Sequence, residues 1–243
     1  MTQHLLLVLE APLVSFGREA VDARGPVSDF PGASLLTGLL ANALGLRREQ
    51  RAAHARLQAR LVFASRIDRP GTRLTDFQTA QLGHDDAGWT TRGRPEGRAG
   101  GRDTYNAPHI RYREYDADKR VVVALRLLEA GEAPTLHDLA QALQTPARPL
   151  FIGRKPCIPT VPLFGGLVQE AGLLQALATL PPPQGAGPVR LDLPTDEGPA
   201  PGDRRVWSGD LRDWRSGVHA GGRERTQRTL QEATRPTPRG NAP

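Results

Sequence analysis

The chain has 243 residues, of which 38% are hydrophobic and 24% are charged, and its formal net charge is +6. These values are typical of a soluble globular protein with one large domain or two small ones. Its apolar runs are shorter than a membrane span requires, and its amino-terminal residues do not form a signal peptide, so we expect a cytoplasmic protein without membrane contact. The single cysteine, Cys157, excludes an internal disulfide and a multi-cysteine zinc site. We expect no metal and no other cofactor.

Almost all the basic residues are arginine, with 30 Arg against 2 Lys. Arginine is the better bidentate ligand for phosphate and stacks on bases, although a GC-rich genome produces the same bias. From Arg204 onward, nine arginines accompany four acidic residues. Such a basic segment is typical of a solvated or nucleic-acid-facing tail.

The first half of the chain alternates apolar runs with helical patterns. The pattern predicts a buried strand at 4–10, a helix at 32–46, a second amphipathic helix at about 48–60, a strand at 61–68 and a strand at 75–82. Residues 69–118 are otherwise polar and rich in arginine and glycine.

The second half begins with the clearest strand of the sequence. The pattern predicts that strand at 120–128, a helix capped by Thr135, a short strand at 149–153 and another helix within 163–180. Residues 181–202 contain seven prolines and are predicted to form a surface linker.

This order of elements predicts an α+β fold with a ferredoxin-like βαββαβ core, an arrangement that RNA recognition modules also use. The gap of about 50 residues between its second and third strands is too long for an unstructured loop. We therefore predict an inserted hairpin at about 76–115, within a domain at 1–180. A proline-rich linker and a less regular basic segment would follow at 181–243.

The insertion carries the first candidate binding residues. Its tip combines Trp89, Arg92 and Arg94 with several glycines, so it can stack on a base and neutralise phosphates, or it is a solvated surface loop. All three tyrosines of the chain lie at 105–115 and alternate with arginine. Aromatic rings and guanidinium groups are the stacking partners that single-stranded RNA uses. The candidate RNA-binding residues here are His109, Arg111, Tyr112 and Arg113.

A second reading of the same segment is enzymatic. His109, Tyr112 and Lys119 are residue types that can cleave RNA without metal by general acid–base catalysis. The sequence contains no nucleophile elbow, phosphate-binding loop, dinucleotide fingerprint or zinc-protease motif. Farther along the chain, Arg154, Lys155 and Cys157 lie in one predicted turn. The two cations either lower the pKa of the Cys157 thiol and activate it, or Cys157 is simply a small packed residue.

At these residues the sequence resembles a known family, the CasD branch of the Cas-five subunits of type I-E CRISPR Cascade complexes. The segments that carry the resemblance run in order along the chain and are Leu5–Gly17, Arg24–Gly45, Thr75–Gly83, Tyr112–Leu125 and Pro149–Phe164. The family often has a basic residue before the helix-opening serine, where this chain has Ala33.

The resemblance implies a ferredoxin-like RAMP core with an inserted thumb. It also implies a subunit that holds the 5′ handle of the CRISPR RNA, caps the filament of CasC backbone subunits and helps to seat the large CasA subunit, so that it meets target DNA only indirectly. In that family the subunit binds and positions RNA without cleaving it. Carried over to this chain, the resemblance implies RNA contacts at Arg24, Ser34, Arg154, Lys155 and Cys157.

Two other functions remain open at this point. One is a metal-independent endoribonuclease that processes CRISPR repeat RNA, as the related type I-C subunit does. The other is a basic scaffold protein that binds nucleic acid without sequence preference.

Overall fold

The computed structural model describes residues 1–20, 22–83, 85–88, 96–97, 107–129, 131–183, 188–198 and 200–230. Within those residues the first half of the chain forms β1 (Thr2–Val14), β2 (Arg24–Gly25), α1 (Ala33–Ala43), α2 (Arg51–Arg60), β3 (Leu61–Arg69), β4 (Thr72–Ala80) and β5 (His109–Leu127). The second half forms α3 (Leu136–Gln144), β6 (Phe164–Glu170), α4 (Leu173–Ala178), β7 (Val189–Pro194), β8 (Arg204–Ser208) and β9 (Arg223–Leu230). No helix in these ranges is both long enough and apolar enough to cross a bilayer.

All nine of these strands belong to one sheet. Seven of them lie in the order β6-β1-β5-β3-β7-β9-β8, and every neighbouring pair in that order is antiparallel. The fold is therefore a mixed α and β architecture with a large antiparallel sheet and few helices. β2 and β4 both pair with β5 outside this order.

The longest strand, β5, has 19 residues and serves two parts of the molecule. Its second half pairs with β1 and β3, whereas its first half pairs with β4 from Ala117 opposite Thr72 to His109 opposite Ala80. We call this two-stranded segment the β4–β5 arm. It lies where the sequence predicted an inserted hairpin at about 76–115, and the tip of that insertion is outside the described residues.

Helices cover both faces of the central strands. Leu5, Leu7 and Leu9 of β1 belong to the larger core cluster, to which α1, α2 and α3 also contribute. Leu6 points to the opposite face and packs in a second cluster with residues of α4 such as Leu177. Because successive side chains of a strand point to opposite faces, covering both faces buries every one of them. This explains the uninterrupted apolar run that predicted the strand.

Most predicted elements are confirmed. The strands predicted at 4–10, 61–68, 75–82 and 120–128 and the helices predicted at 32–46, 48–60 and after Thr135 all have counterparts, with β1 and β5 longer than expected. Thr135 caps α3 through a capping box, in which its hydroxyl accepts from the Asp138 amide and the Asp138 carboxylate accepts from the Thr135 amide. A helix predicted within 163–180 corresponds to α4, but the strand β6 in the same stretch was not predicted.

The strand predicted at 149–153 is wrong, because these residues form an irregular loop. Gly153 has a φ of +96°, and a Cβ atom at this position would clash with the carbonyl of Ser15. The loop therefore approaches β1 through a glycine with left-handed backbone geometry. The strand that completes the sheet beside β1 is β6 instead.

The surface linker predicted across 181–202 is wrong for Val189–Pro194, which form β7 between β3 and β9. Val189, Leu191 and Leu193 are all buried. Pro188 and Pro194 stand at the two ends of the strand, where proline disturbs the ladder least, so the proline count concealed a short alternating core strand. The division into 1–180 and 181–243 stays a prediction.

Candidate nucleic-acid interface

An aromatic pair lies exposed on the β4–β5 arm. Phe77 of β4 is directly opposite Tyr112 of β5, and their ring centroids are 5.4 Å apart. Phe77 is 55% exposed and Tyr112 is 36% exposed. The Arg24 guanidinium of β2 lies 5.3 Å from the Tyr112 ring centroid, because β2 pairs with β5 at this residue. The structure therefore brings together Arg24 and Tyr112, which are far apart in the sequence, as one cationic and aromatic surface.

The alternation of tyrosine and arginine along β5 does not make a single stacking surface. Since side chains alternate across a strand, Tyr112 lies on the face opposite to that of Arg111 and Arg113. Tyr115 is only 4% exposed and is covered by the guanidinium of Arg154 at 4.8 Å. Tyr115 therefore belongs to the core and is not part of an exposed stacking surface.

The three residues proposed for metal-independent RNA cleavage do not lie together in one site. His109, Tyr112 and Lys119 lie along one strand, and seven positions between the last two correspond to roughly 20 Å. Lys119 is 2% exposed, and its ammonium group donates to Asp116 at 2.6 Å. Burial lowers the pKa of Lys119, while the hydrogen bond to Asp116 raises it. Lys119 is thus buried and bonded to Asp116, and it does not lie beside His109.

Arg154 holds the fold together at the base of the arm. Its guanidinium donates to the carbonyl of Glu114 at 2.8 Å and to that of Gly25 at 3.0 Å, so it ties β2 to β5. Lys155, next to it, is exposed. Arg154 therefore has an internal role that its position in a basic turn did not reveal.

The predicted RNA contact of Cys157 is wrong for its side chain, because Cys157 is 0% exposed and belongs to the larger core cluster. Burial raises the pKa of its thiol, against a smaller opposite effect of Arg154. The structure therefore favours the interpretation in which Cys157 is a packed core residue.

The amino terminus of α1 is not available to a phosphate. The amide of Ala33 donates to the Asp210 carboxylate at 2.7 Å, and the amide of Ser34 donates to the Asp210 carbonyl at 3.0 Å. Arg223 holds that carboxylate with two hydrogen bonds, at 2.8 and 3.2 Å. A carboxylate of the same chain thus occupies the position that an anionic ligand would take at a helix amino terminus. The Ser34 amide is therefore not available to a phosphate, but Ser34 lines the groove described next, and its RNA contact stays a prediction.

Three predicted residues, Trp89, Arg92 and Arg94, lie outside the described residues. Their RNA contacts stay predictions.

A groove of about 670 Å³ lined by six arginines lies between α1, the loop at 148–154 and the segment at 212–219. We call it the basic groove. Its arginines are Arg48, Arg51, Arg148, Arg154, Arg212 and Arg215, and its histidines are His54 and His219. Among the residues that the structure describes, no aspartate or glutamate lines the groove. Such a concave surface of one sign concentrates the field and attracts polyanions.

Hydrogen bonds from the helices fix the walls of the basic groove. Asn42 of α1 donates to the carbonyl of Pro149 at 2.9 Å. Gln58 of α2 exchanges two hydrogen bonds with the backbone of Arg212, at 3.0 and 3.2 Å. Arg148 donates to the carbonyls at the end of α1. Both the loop and the carboxy-terminal segment are thereby held against the helices.

One wall carries an aromatic stack. The rings of Trp214 and His54 are 4.7 Å apart, and the Arg212 guanidinium lies 5.3 Å from the Trp214 ring centroid. Burial lowers the pKa of Arg212, and the charge of Arg48 lowers it further. Four residues that line the groove each have one buried polar atom without a hydrogen-bond partner among the described residues, namely Ser15 Oγ, Arg212 Nε, Trp214 Nε1 and His219 Nδ1.

Sequence reasoning missed this groove. Its residues come from four separate stretches of the chain, and of the predicted site residues that the structure describes, Ser34 and Arg154 alone line it. The one local signal was Trp214 between Arg212 and Arg215, in a region with weak secondary-structure pattern.

The model of a family described as CRISPR-associated protein (Cas_Cas5) matches residues 4–226. The chain is 29% identical over 182 residues to the CRISPR system Cascade subunit CasD of Escherichia coli (strain K12), covering 75% of this chain and 79% of that protein.

Two solved structures share the fold. One, entitled CRISPR RNA-guided surveillance complex, matches with a TM-score of 0.62 and 23% identity over 94% of this chain and 89% of the other. The second, entitled Crystal structure of Cas protein, matches with a TM-score of 0.59 and 27% identity over 97% of this chain and 99% of the other. The resemblance found from the residues alone is thus confirmed, and the chain belongs to the Cas5 family of CRISPR-associated proteins.

Proposed function

We propose that this protein is a non-catalytic RNA-binding subunit of a CRISPR Cascade surveillance complex and that it holds the 5′ handle of the CRISPR RNA. The observation that carries the proposal is the basic groove, which six arginines and no described carboxylate line. RNA binding depends mainly on neutralising phosphates, so a polyanion is the class of ligand that this groove favours.

The exposed surface of the β4–β5 arm supports the same ligand. Phe77 and Tyr112 present aromatic rings, and Arg24 adds a cation beside them. Sequence-tolerant stacking of single-stranded bases uses this combination of groups. In the proposal, the groove holds the backbone of the handle and the arm holds the RNA that leaves it.

The fold is consistent with a ferredoxin-like RAMP core. Four strands alternate with helices in the chain order β1-α1-β3-β5-α3-β6, with α2 added before β3, and they lie side by side as β6-β1-β5-β3. This is the strand order that a split βαβ unit produces, and it leaves the β4–β5 arm as the inserted thumb.

The partners follow from the relative rather than from this chain alone. Since the similar E. coli protein is a Cascade subunit, we propose that this chain caps a filament of CasC subunits, helps to seat CasA and works in the cytoplasm. Its contact with target DNA would be indirect, through the guide RNA.

The experiment that tests the proposal is a binding titration of the purified chain with its CRISPR repeat RNA in EDTA, at several salt concentrations. The variant R48Q/R51Q/R215Q removes three exposed charges of the groove, and R204Q/R205Q removes two exposed charges of β8 outside it. We expect the groove variant to lose on the order of a hundredfold in affinity, because each charge-assisted contact is worth at least ~1 kcal/mol. Its salt slope should fall by about two, at ~0.7 for each phosphate contact.

The control variant separates this proposal from the alternatives. If R204Q/R205Q weakens binding as much as R48Q/R51Q/R215Q, charge alone matters and the protein is a general basic scaffold. A discrete cleavage product in EDTA that H109A or Y112A abolishes would establish an endoribonuclease and overturn the non-catalytic proposal.

A further inference from the structure

We propose that the basic groove contains a pocket for one extruded nucleotide of the bound RNA, with Trp214 as its aromatic wall and the segment at 211–220 as its closing side. This inference rests on the proposed function and deepens it, because it states how one position of the RNA is read. Trp214 lies in the carboxy-terminal part of the chain, outside the stretches that carry the sequence resemblance.

The lining of the groove has two kinds of surface. Guanidinium groups of six arginines supply the charge, whereas Leu35, Leu39, Leu150, Phe151 and Trp214 supply an apolar wall. A free phosphate or a backbone phosphate needs only the first kind. An occupant that uses both has a flat apolar body and an anionic edge, which is the chemistry of a nucleotide. The volume of about 670 Å³ is within the range of sites for such ligands.

The pocket is built before the ligand arrives. Asp213 at the start of a turn accepts from the amide of Arg215 at 2.9 Å and from the hydroxyl of Ser216 at 2.6 Å. The same turn is closed by the backbone bond from Asp213 to Val218 at 2.9 Å. Together with the two hydrogen bonds between Gln58 and Arg212, these contacts hold Trp214 against His54. A preformed wall reduces the entropic cost of ordering the nucleotide.

The test uses a series of CRISPR repeat RNAs, each with one abasic nucleotide in its 5′ segment. For the wild-type chain we expect one abasic position to reduce affinity about tenfold, while the other positions change it less than twofold. W214A should bind intact RNA about tenfold more weakly and should no longer distinguish that position. Trp207 is 70% exposed on β8 and outside the groove, so W207A is the matched control and should keep the wild-type profile.

The outcomes separate this inference from the proposed function. If intact RNA binds through the groove arginines but no abasic position matters, or if W214A keeps the full profile, the nucleotide pocket is wrong and the RNA-binding function stands. If R48Q/R51Q/R215Q binds RNA like the wild type, the proposed function itself fails. Should W214A not fold, the profile is measured in W214L, which keeps an apolar side chain but has no aromatic ring. An undiminished profile in W214L overturns the inference.

Discussion

The arginines of the basic groove and those of β9 have opposite roles. Arg223, Arg225 and Arg228 of β9 each hold a carboxylate within 3.0 Å, on Asp210, Asp192 and Asp203. The groove arginines line a surface on which, in the described part of the chain, no carboxylate lies. The first set neutralises itself inside the protein, whereas the second leaves its charge for a ligand.

This difference shows that arginine content does not locate a nucleic-acid site. The carboxy-terminal segment has the larger local excess of basic residues, and on that ground it was expected to be solvated or to face nucleic acid. In the structure, Arg225 of this segment is 2% exposed, whereas Arg212 and Arg215 of the same segment line the groove. The position of the acidic residues in space, rather than their number, decides which cations remain available.

The largest loss of stability is expected when Arg225 is replaced. Its guanidinium bonds the Asp192 carboxylate at 2.6 Å and the carbonyl of Phe63 at 3.0 Å. R225M leaves Asp192 buried without its partner, so we expect a loss of about 3–5 kcal/mol in the free energy of unfolding, measured by urea titration. D192N/R225M should recover part of this loss, because it removes the uncompensated charge. A loss below ~1 kcal/mol in R225M would contradict the internal role.

The groove arginines should give the opposite result. R48Q/R51Q/R215Q, which we expect to bind RNA on the order of a hundredfold more weakly, should change the free energy of unfolding by no more than about 0.5 kcal/mol, since surface charges away from partners contribute little. Urea titration of this variant beside R225M measures the contrast directly. Marked destabilisation would show that these arginines also belong to the fold.

An intermediate effect is expected from Asp210, which joins the two regions by capping α1 and accepting from Arg223. D210A removes the cap, so we expect a loss of about 1–2 kcal/mol in the free energy of unfolding, seen as a lower Tm. D210N keeps an oxygen acceptor for the Ala33 amide and should lose less. Equal losses in the two variants would assign the effect to the ion pair with Arg223 instead.

The smallest effect is a pH dependence at the edge of the sheet. The hydrogen bond from Arg228 lowers the pKa of Asp203 below its ordinary value. A carboxylate with a lowered pKa stabilises the folded state above the pKa of the unfolded chain, and this contribution is lost as the pH falls through the folded pKa. D203N should therefore be less stable than wild type at pH 7, by under ~1 kcal/mol, and the difference should disappear toward pH 2. A constant difference across this range would exclude the ionised pair as its cause.

The order of strands and helices in the first 145 residues could be predicted because local pattern and final burial agree there. The run from Leu5 to Leu9 is apolar since both faces of β1 are covered, and Thr135 is followed three residues later by the acidic partner of its capping box. β7 could not be predicted in the same way. Its alternating Val189, Leu191 and Leu193 stand among prolines, and only pairing with β3 and β9 makes the strand.

The residues of the candidate site also differ in how far their roles could be predicted from the sequence. Arg24 and Tyr112 were recognised separately from residue type and resemblance, and the sheet register brought them into contact. Arg154 and Cys157 were identified by position in a basic turn. Complete burial assigns Cys157 to the core, whereas Arg154 lines the groove and also donates to backbone carbonyls of β2 and β5.

By itself, the sequence determined the family, the alternation of strands and helices and the excess of arginine, because these are properties of residues and their near neighbours along the chain. Only the tertiary structure decided which arginines face a carboxylate and which line a groove. The reason is that an ion pair or a cavity depends on distances between residues far apart in sequence, such as Asp192 with Arg225 and His54 with Trp214. Those distances are set by how the sheet and helices pack.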